Sequence, residues 1–236
     1  MENRSYFHDP IYGHIFLTPI ELALVDSLEF QRLRYIRQNS LLHYVFPGAF
    51  HSRFSHSLGV CHNAYRILNQ IFPSVEKQSD HYCLQVVRIA CLLHDVGHGA
   101  FSHLLPTVQL KEKSFLPTLR EVFDHPELWN LANSIDDPIT QGILDYFEED
   151  LDGPIEHEAL SLLILKQMFQ HIANSKNQSS SELLGDISPA IWAQDVSAMI
   201  LYTVPTSSHF DESSMRLIQS LKDQLARTEN SKTYRH

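Results

Sequence analysis

The sequence predicts a mostly α-helical fold with short irregular or β elements at its N-terminus. Apolar residues recur at helical spacing over several long stretches, whereas runs with the two-residue alternation of strands are scarce. A chain of 236 residues is also long enough to bury one full hydrophobic core. We therefore expect a single all-α domain over residues 1–236.

The predicted elements can be placed along the chain from these patterns. Proline and glycine interrupt residues 1–19, and from Pro19 the apolar spacing predicts a first amphipathic helix that ends near Gln38. A largely apolar, buried helix is expected to end at Gly97 and Gly99. The polar stretch 175–181 predicts a loop. Including the buried one, the further predicted helices cover about 53–71, 81–96, 116–123, 126–133, 137–148, 156–174, 188–203 and 211–228.

The composition excludes several classes of protein. The formal net charge of -10 argues against unspecific binding to nucleic acid or to an anionic membrane through a basic surface. No apolar run approaches the roughly 18 residues that span a bilayer. The three cysteines form no C-x-x-C pair, which favours a reducing, cytoplasmic setting.

One segment is strongly acidic. Between Glu121 and Leu165 there are 12 acidic residues and no Lys or Arg. This pattern predicts a solvated acidic surface, or alternatively a flap that binds a partner or lies beside a metal. Segment 104–156 is accordingly the least regular part of the predicted domain.

Histidine is clustered, and the cluster predicts a metal site. Of 15 histidines, seven fall between His51 and His103. The pair His94-Asp95 ends an apolar helix, where the imidazole and the carboxylate can reach one metal ion. Arg53 lies three residues before a histidine on a predicted helix, so that the two share a face. The candidate residues of this site are Arg53, His56, His94, Asp95, His157 and Glu158.

Several runs in this order resemble the dNTP triphosphohydrolase branch of the HD-domain phosphohydrolase superfamily. The resemblance implies an all-α HD-domain helical bundle whose metal-site core covers about residues 20–175. Several motifs in a fixed order are more specific than one His-Asp dipeptide. The runs that carry the resemblance are 9–15, 30–38, 44–49, 52–60 and 93–103.

The resemblance also implies a reaction and its residues. A dNTP would be split into deoxynucleoside and inorganic triphosphate, with water attacking the α-phosphorus. A divalent ion, either Mn, Fe, Zn or Mg, would be held by the family's first three ligands. Arg53 would bind phosphate, and Gln38 would read the sugar. By position, the metal ligands are His56, His94 and Asp95, the histidines beside the phosphate are His98 and His103, and the second acid–base pair is His157 with Glu158.

The fourth metal ligand of the family pattern is a distant Asp, and its motif is not found in this sequence. The late candidates Asp186, Asp195 and Asp211 lack the expected neighbours. Either the chain is a fragment that ends before this ligand, or the site is completed differently, or it is degenerate. We favour a fragment, truncated after its C-terminal helices at 188–228.

Regulation by nucleotides and homo-oligomerisation are also implied by the resemblance. Asp26, Gln31 and Arg34 match positions that bind an activating nucleotide; the alternative is that they are solvent-facing helix residues. Two other functions stay open at this point. The chain could hydrolyse another nucleotide or phosphoester, or it could be a catalytically inactive nucleotide-binding or regulatory module.

Overall fold

The protein is described here by a computed structural model. Helices form most of the described chain, which confirms the predicted fold class. The structure describes residues 6–71, 78–110, 113–114, 116–124, 138–146, 151–174, 183–201, 203, 205, 207–212, 214–216, 218 and 219. No helix within these ranges is long and apolar enough to cross a bilayer.

The N-terminal segment forms a β-hairpin, as the predicted minor β elements suggested. Strand β1 (Tyr6–Asp9) pairs antiparallel with β2 (Gly13–Phe16). The Asp9 side chain accepts hydrogen bonds from the backbone N–H groups of Ile11 and Tyr12, at 2.8 and 3.0 Å, which closes the turn. Gly13 ends this turn at a φ of 71°, where glycine has no steric cost.

The prediction of one continuous first helix to Gln38 is wrong, because this segment is divided into three short helical pieces. These are α1 (Pro19–Val25), α2 (Leu28–Gln31) and a 3₁₀ turn (Arg32–Tyr35). The break has a local cause. The Ser27 hydroxyl accepts a hydrogen bond from the Phe30 backbone N–H at 3.3 Å, so it caps a new helix instead of continuing the old one.

Two long helices form the centre of the fold. Helix α3 (Arg53–Ile71) matches its prediction, and α4 (Gln78–Leu93) begins and ends about three residues earlier than expected. Both pack through apolar faces into one core that also includes residues of α1 and α2. The first residue of α3 and the last residue of α4 lie at the same end of this pair, which is where the candidate site forms.

The rest of the chain adds helices around this pair. Helices α7 (His157–Asn174) and α8 (Pro189–Ile200) pack on each other, and α8 also packs on α4. The predicted helix at 126–133 and the predicted loop at 175–181 fall outside the described residues. The described positions within 212–219 are helical. The other elements are a 3₁₀ turn (Leu42–Tyr44), a 3₁₀ turn (Ser102–Thr107), β3 (Gln109–Leu110), β4 (Lys113–Ser114), α5 (Leu119–Asp124) and α6 (Pro138–Tyr146).

A buried ion pair ties α1 to α4. Glu21 is fully buried, and its carboxylate accepts two hydrogen bonds from Arg88, at 2.6 and 2.7 Å. Gln85 and the backbone of Thr18 donate two more bonds to the same carboxylate. Each of the two carboxylate oxygens of Glu21 thus accepts two hydrogen bonds, and these bonds keep the N-terminal segment fixed against the central helices.

Candidate metal centre

Three predicted metal ligands meet at one end of the central helix pair. His56 lies in the first turn of α3, and His94 and Asp95 directly follow α4. The His56 Nε2 atom is 3.6 Å from Asp95 Oδ2, and the His94 Nε2 atom is 3.4 Å from Asp95 Oδ1. One ligand atom from each residue lies within 4.8 Å of the other two. The structure therefore brings these three residues together, and their role as metal ligands stays a prediction.

The chemistry of this donor set fits a divalent metal ion. Two imidazole nitrogens and one carboxylate oxygen suit Mn, Fe or Zn, and less well Mg. Burial lowers the pKa of His56, although Asp95 opposes the effect, so this ring stays neutral and keeps a lone pair for a metal. The side chains of His56 and His94 are 30% and 34% exposed, which leaves an approach from solvent.

Arg53 forms the base of the site. Its side chain is only 1% exposed, and its Nη1 atom donates to Asp95 Oδ2 at 2.5 Å. Its Nε atom donates to the Ser102 hydroxyl at 3.0 Å, and Ser102 in turn donates to the Arg37 carbonyl at 3.0 Å. Burial lowers the pKa of Arg53, and the neighbouring Asp95 opposes that effect. The predicted phosphate-binding arginine is thus in the site, and it lies beneath the carboxylate.

A second cluster contains the other predicted histidines. One ring nitrogen from each of His98, His103 and His157 lies within 4.8 Å of the others. The rings of His98 and His157 stack with centroids 3.7 Å apart, and His103 meets both edge-on. The Nε2 atom of His98 is also 3.5 Å from Asp95 Oδ1, so the two clusters adjoin.

The members of this second cluster differ in environment. Burial, together with the charges of His157 and Arg53, lowers the pKa of His98 to about 2, so its ring is neutral at ordinary pH. His103 is exposed to solvent. His157 Nδ1 lies 3.0 Å from Glu158 Oε2. Burial raises the pKa of Glu158, but His157, the Glu158 backbone and the charge of His103 together lower it overall. The carboxylate of Glu158 therefore lies against the His157 ring.

Gln38 lies at the edge of the first cluster. Its backbone carbonyl accepts from Arg53 Nη2 at 3.4 Å, and its backbone N–H donates to the His51 carbonyl at 3.1 Å. Its side-chain Oε1 is buried and has no hydrogen-bond partner among the described residues. An unpaired buried amide oxygen next to the site is suited to accept a hydrogen bond from a ligand hydroxyl.

The predicted activator residues lie elsewhere, on the surface formed by α1 and α2. Gln31 donates to the Val25 carbonyl at 2.7 Å and accepts from Arg34 at 2.7 Å. The Arg34 guanidinium stacks 3.6 Å over the Phe54 ring. Asp26 is exposed at the end of α1. The side chains of Gln31 and Arg34 therefore already form one network, which Asp26 does not share in any described contact.

None of the candidates for a fourth ligand joins the metal group in the described structure. Asp186 is exposed, and Asp211 caps the next helical turn through a 2.8 Å bond from the Ser214 N–H. Asp195 is fully buried, where it accepts from Tyr82 at 2.7 Å and from Ser207 at 2.5 Å. Tyr82 lies in the first part of α4, about three helical turns before His94, so Asp195 is remote from the site.

Sequence reasoning missed the residues that hold the site in shape. Ser102, Arg32 and Ser161 each bond a backbone or side-chain group of the ligand-bearing segments. Neither composition nor spacing distinguishes them, because their partners lie 49 to 67 residues away along the chain.

A family model matches part of the chain. The HD domain family model matches residues 53–135, which include the three metal-ligand candidates and the arginine beneath them. This part of the chain therefore resembles an HD domain.

Individual relatives are more specific than the family model. The chain is 35% identical over 187 residues to deoxynucleoside triphosphate triphosphohydrolase SAMHD1 of Xenopus laevis, covering 72% of this chain and 28% of that protein. It is 48% identical over 102 residues to SAMHD1 of Mus musculus, covering 42% and 15%. An uncharacterised protein of Methanocaldococcus jannaschii is 39% identical over 126 residues, covering 53% and 25%. The chain thus spans between 15% and 28% of the length of these relatives.

Proposed function

We propose that this protein is a metal-dependent phosphohydrolase that splits dNTPs into deoxynucleoside and inorganic triphosphate. One observation carries the proposal: a three-ligand metal group adjoins a cluster of three histidines, with only 3.5 Å between Asp95 and His98. Binding of a metal beside groups that can donate and accept protons is what hydrolysis of a phosphoester needs. The related SAMHD1 proteins are named for the same reaction.

The roles of the side chains follow from their surroundings. His56, His94 and Asp95 would hold a divalent ion, which would supply Lewis-acid chemistry by lowering the pKa of a water and polarising a phosphoryl oxygen. The Arg53 guanidinium holds the Asp95 carboxylate in place and adds positive charge beneath the phosphate. Gln38 Oε1 is suited to accept from a sugar hydroxyl, such as the 3′ hydroxyl of a deoxyribose.

Proton transfer falls to the second cluster. His103 is exposed and is the group that can give a proton to the leaving 5′ oxygen. His157, oriented by Glu158, is the second acid–base candidate. The neutral ring of His98 stacks on His157 and fixes its position.

The test is release of triphosphate from a dNTP by protein loaded with Mn²⁺, Fe²⁺, Zn²⁺ or Mg²⁺. Asp95→Asn and His94→Ala remove ligands, so we expect activity to fall by at least about 1,000-fold and bound metal to be lost. The matched control is His171→Ala, which changes an exposed histidine outside the site and should leave both unchanged. Full activity in Asp95→Asn, or equal activity after chelation, would contradict the metal role.

A second candidate function has a specific observation in its favour. No fourth carboxylate joins the metal group among the described residues, and this fits a catalytically inactive nucleotide-binding module. Such a protein would be stabilised against heat by a dNTP while showing no turnover with any of the metals. An HD phosphohydrolase of another phosphoester would instead release orthophosphate or a nucleoside monophosphate in the same assay.

We also propose that the protein is a homo-oligomer in a reducing, cytoplasmic setting, with a nucleotide activator bound near Asp26, Gln31 and Arg34. Support for self-association comes from the large apolar side chains exposed in one short segment. These side chains are Tyr35, Leu41, Leu42, Tyr44, Val45, Phe46 and Phe50.

The three cysteines are free, in keeping with a reducing setting. Light scattering of the purified protein, with and without GTP, tests both the assembly and the activator.

A further inference from the structure

We propose that Ser161 is a positioning residue that fixes the acid–base histidine His157 relative to the metal ligands His94 and Asp95. The inference rests on the proposed function and concerns how the metal ligands and the acid–base histidine are held relative to each other. The metal ligands belong to α3 and to the turn after α4, whereas His157 belongs to α7.

The Ser161 hydroxyl makes two hydrogen bonds to the turn that carries the metal ligands. It accepts from the Gly97 backbone N–H at 2.8 Å and donates to the His94 carbonyl at 2.8 Å. The residue is fully buried. Since a hydroxyl has one proton, accepting one bond and donating the other gives it a defined orientation, and both backbone groups depend on it.

The backbones of α7 and of the turn are in direct contact at this point. A Cβ atom added to Gly97 would overlap the His157 carbonyl oxygen and the Ser161 nitrogen, and would lie 2.8 Å from the Leu160 carbonyl carbon. The first turn of α7 therefore lies against position 97 without an intervening side chain. The Ser161 hydroxyl is the polar link across that contact.

The other side of the turn is held independently. Arg32 donates from Nη1 to the His98 carbonyl at 2.6 Å and from Nη2 to the Val96 carbonyl. Asp95 itself is held by Arg53. Loss of the Ser161 hydroxyl thus leaves the metal ligands attached to their own segments, and releases only the link to α7.

The consequence concerns His157. Ser161 lies four residues, or about one helical turn, after His157, so the hydroxyl is directly beneath the part of the helix that carries this ring. The stack of His157 on His98, with centroids 3.7 Å apart, depends on that placement. A shift of about 1 Å in a catalytic group can cost about 100-fold in rate.

The experiment compares Ser161→Ala with Ser197→Ala in metal-loaded protein and a dNTP. Ser197 is a matched control, because it is a buried helical serine whose hydroxyl bonds a backbone carbonyl at 2.7 Å, on α8. We expect Ser161→Ala to lower kcat by about 10- to 100-fold while KM and the metal Kd change by less than about 3-fold. Ser197→Ala should leave kcat within about 2-fold.

Two further measurements can contradict the proposal even if Ser161→Ala fails to fold. Ser161→Cys retains a weak donor and acceptor of similar size, so its kcat should lie between those of the wild type and Ser161→Ala, and it replaces the Ala variant if that fails to fold. With Co²⁺ bound in place of the native metal, the paramagnetic NMR shift of the His157 ring should change in Ser161→Ala and remain in Ser197→Ala.

The outcomes separate the two proposals. Absence of dNTP hydrolysis by the wild type contradicts the proposed function, and the NMR comparison then decides the role of Ser161. A wild-type kcat and an unchanged His157 signal in Ser161→Ala would show that Ser161 positions nothing. A loss that appears only in metal affinity would also overturn the proposal.

Discussion

At the scale of residues, Arg53 has a contact that its spacing did not predict. The spacing of Arg53 and His56 predicted a shared helix face, with one residue for phosphate and one for metal. In the structure Arg53 also pairs with Asp95, and its side chain is only 1% exposed. A buried carboxylate next to two imidazoles needs a compensating charge, and the guanidinium supplies it together with a directed hydrogen bond.

The Arg53–Asp95 pair makes a prediction for stability. Arg53→Ala leaves Asp95 buried and unpaired, so we expect the free energy of unfolding of the metal-free protein to fall by about 3–5 kcal/mol. Urea denaturation measures this change. Arg216→Ala is the control, because Arg216 pairs with Glu212 on the surface and should contribute less than about 0.5 kcal/mol. Equal effects of the two variants would contradict the structural role of Arg53.

His98 makes a prediction for the dependence of stability on pH. Its pKa is lowered to about 2 in the folded protein, whereas the unfolded chain takes up the proton near pH 6.5. The folded state therefore loses stability as the pH falls below about 6.5, by at most about 1.4 kcal/mol per pH unit from this residue.

The variant His98→Gln tests that dependence. Urea denaturation of the metal-free protein between pH 7 and pH 5 should give a steeper loss of stability for the wild type than for His98→Gln. Parallel curves for the two proteins would show that His98 is not held neutral by the fold.

At the scale of elements, the long periodic helices were predictable and the short ones were not. Helices α3, α4 and α7 bury continuous apolar faces, which the 3.6-residue period reveals. The division of the first helix depends on the cap of Ser27, which competes with a periodic pattern that continues across the break. Local hydrogen bonding thus overrides apolar spacing where the helix is short.

Gly97 illustrates a role that sequence cannot distinguish. We predicted it as a residue that ends a helix, and α4 ends at Leu93, four residues before it. Its φ is not among the positive values, so conformational freedom is not the requirement. The requirement is the close approach of α7, which comes from a segment some 60 residues later in the chain.

Substitution at this glycine gives a prediction for the packing of α7. Gly97→Ala places a methyl group against backbone atoms that cannot rotate away, so we expect a loss of about 1–3 kcal/mol in stability and of most activity. Gly48→Ala is the matched control, because nothing lies within 4 Å of the added Cβ. Thermal denaturation and turnover of a dNTP check both variants. If Gly97→Ala behaved like Gly48→Ala, the contact between α7 and the turn would be looser than described.

At the scale of the whole molecule, the site joins parts of the chain that are far apart in sequence. The adjacent pair His94-Asp95 and the run around His56 could be found from sequence, because ligand spacing and motif order are local signals. The approach of His157 and the links through Ser161, Ser102 and Arg32 arise only when the helices pack. Among the described residues, the metal group consists of His56, His94 and Asp95.

The central claim is that water attacks the α-phosphorus of a dNTP at this site. The most direct measurement is turnover of dGTP by the metal-loaded protein in water labelled with the heavy oxygen isotope, followed by mass spectrometry of the products. Attack at the α-phosphorus breaks its bond to the 5′ oxygen, so the label should appear in inorganic triphosphate and not in the deoxynucleoside. Label in orthophosphate, label in the deoxynucleoside, or no turnover by protein with bound metal would contradict the account.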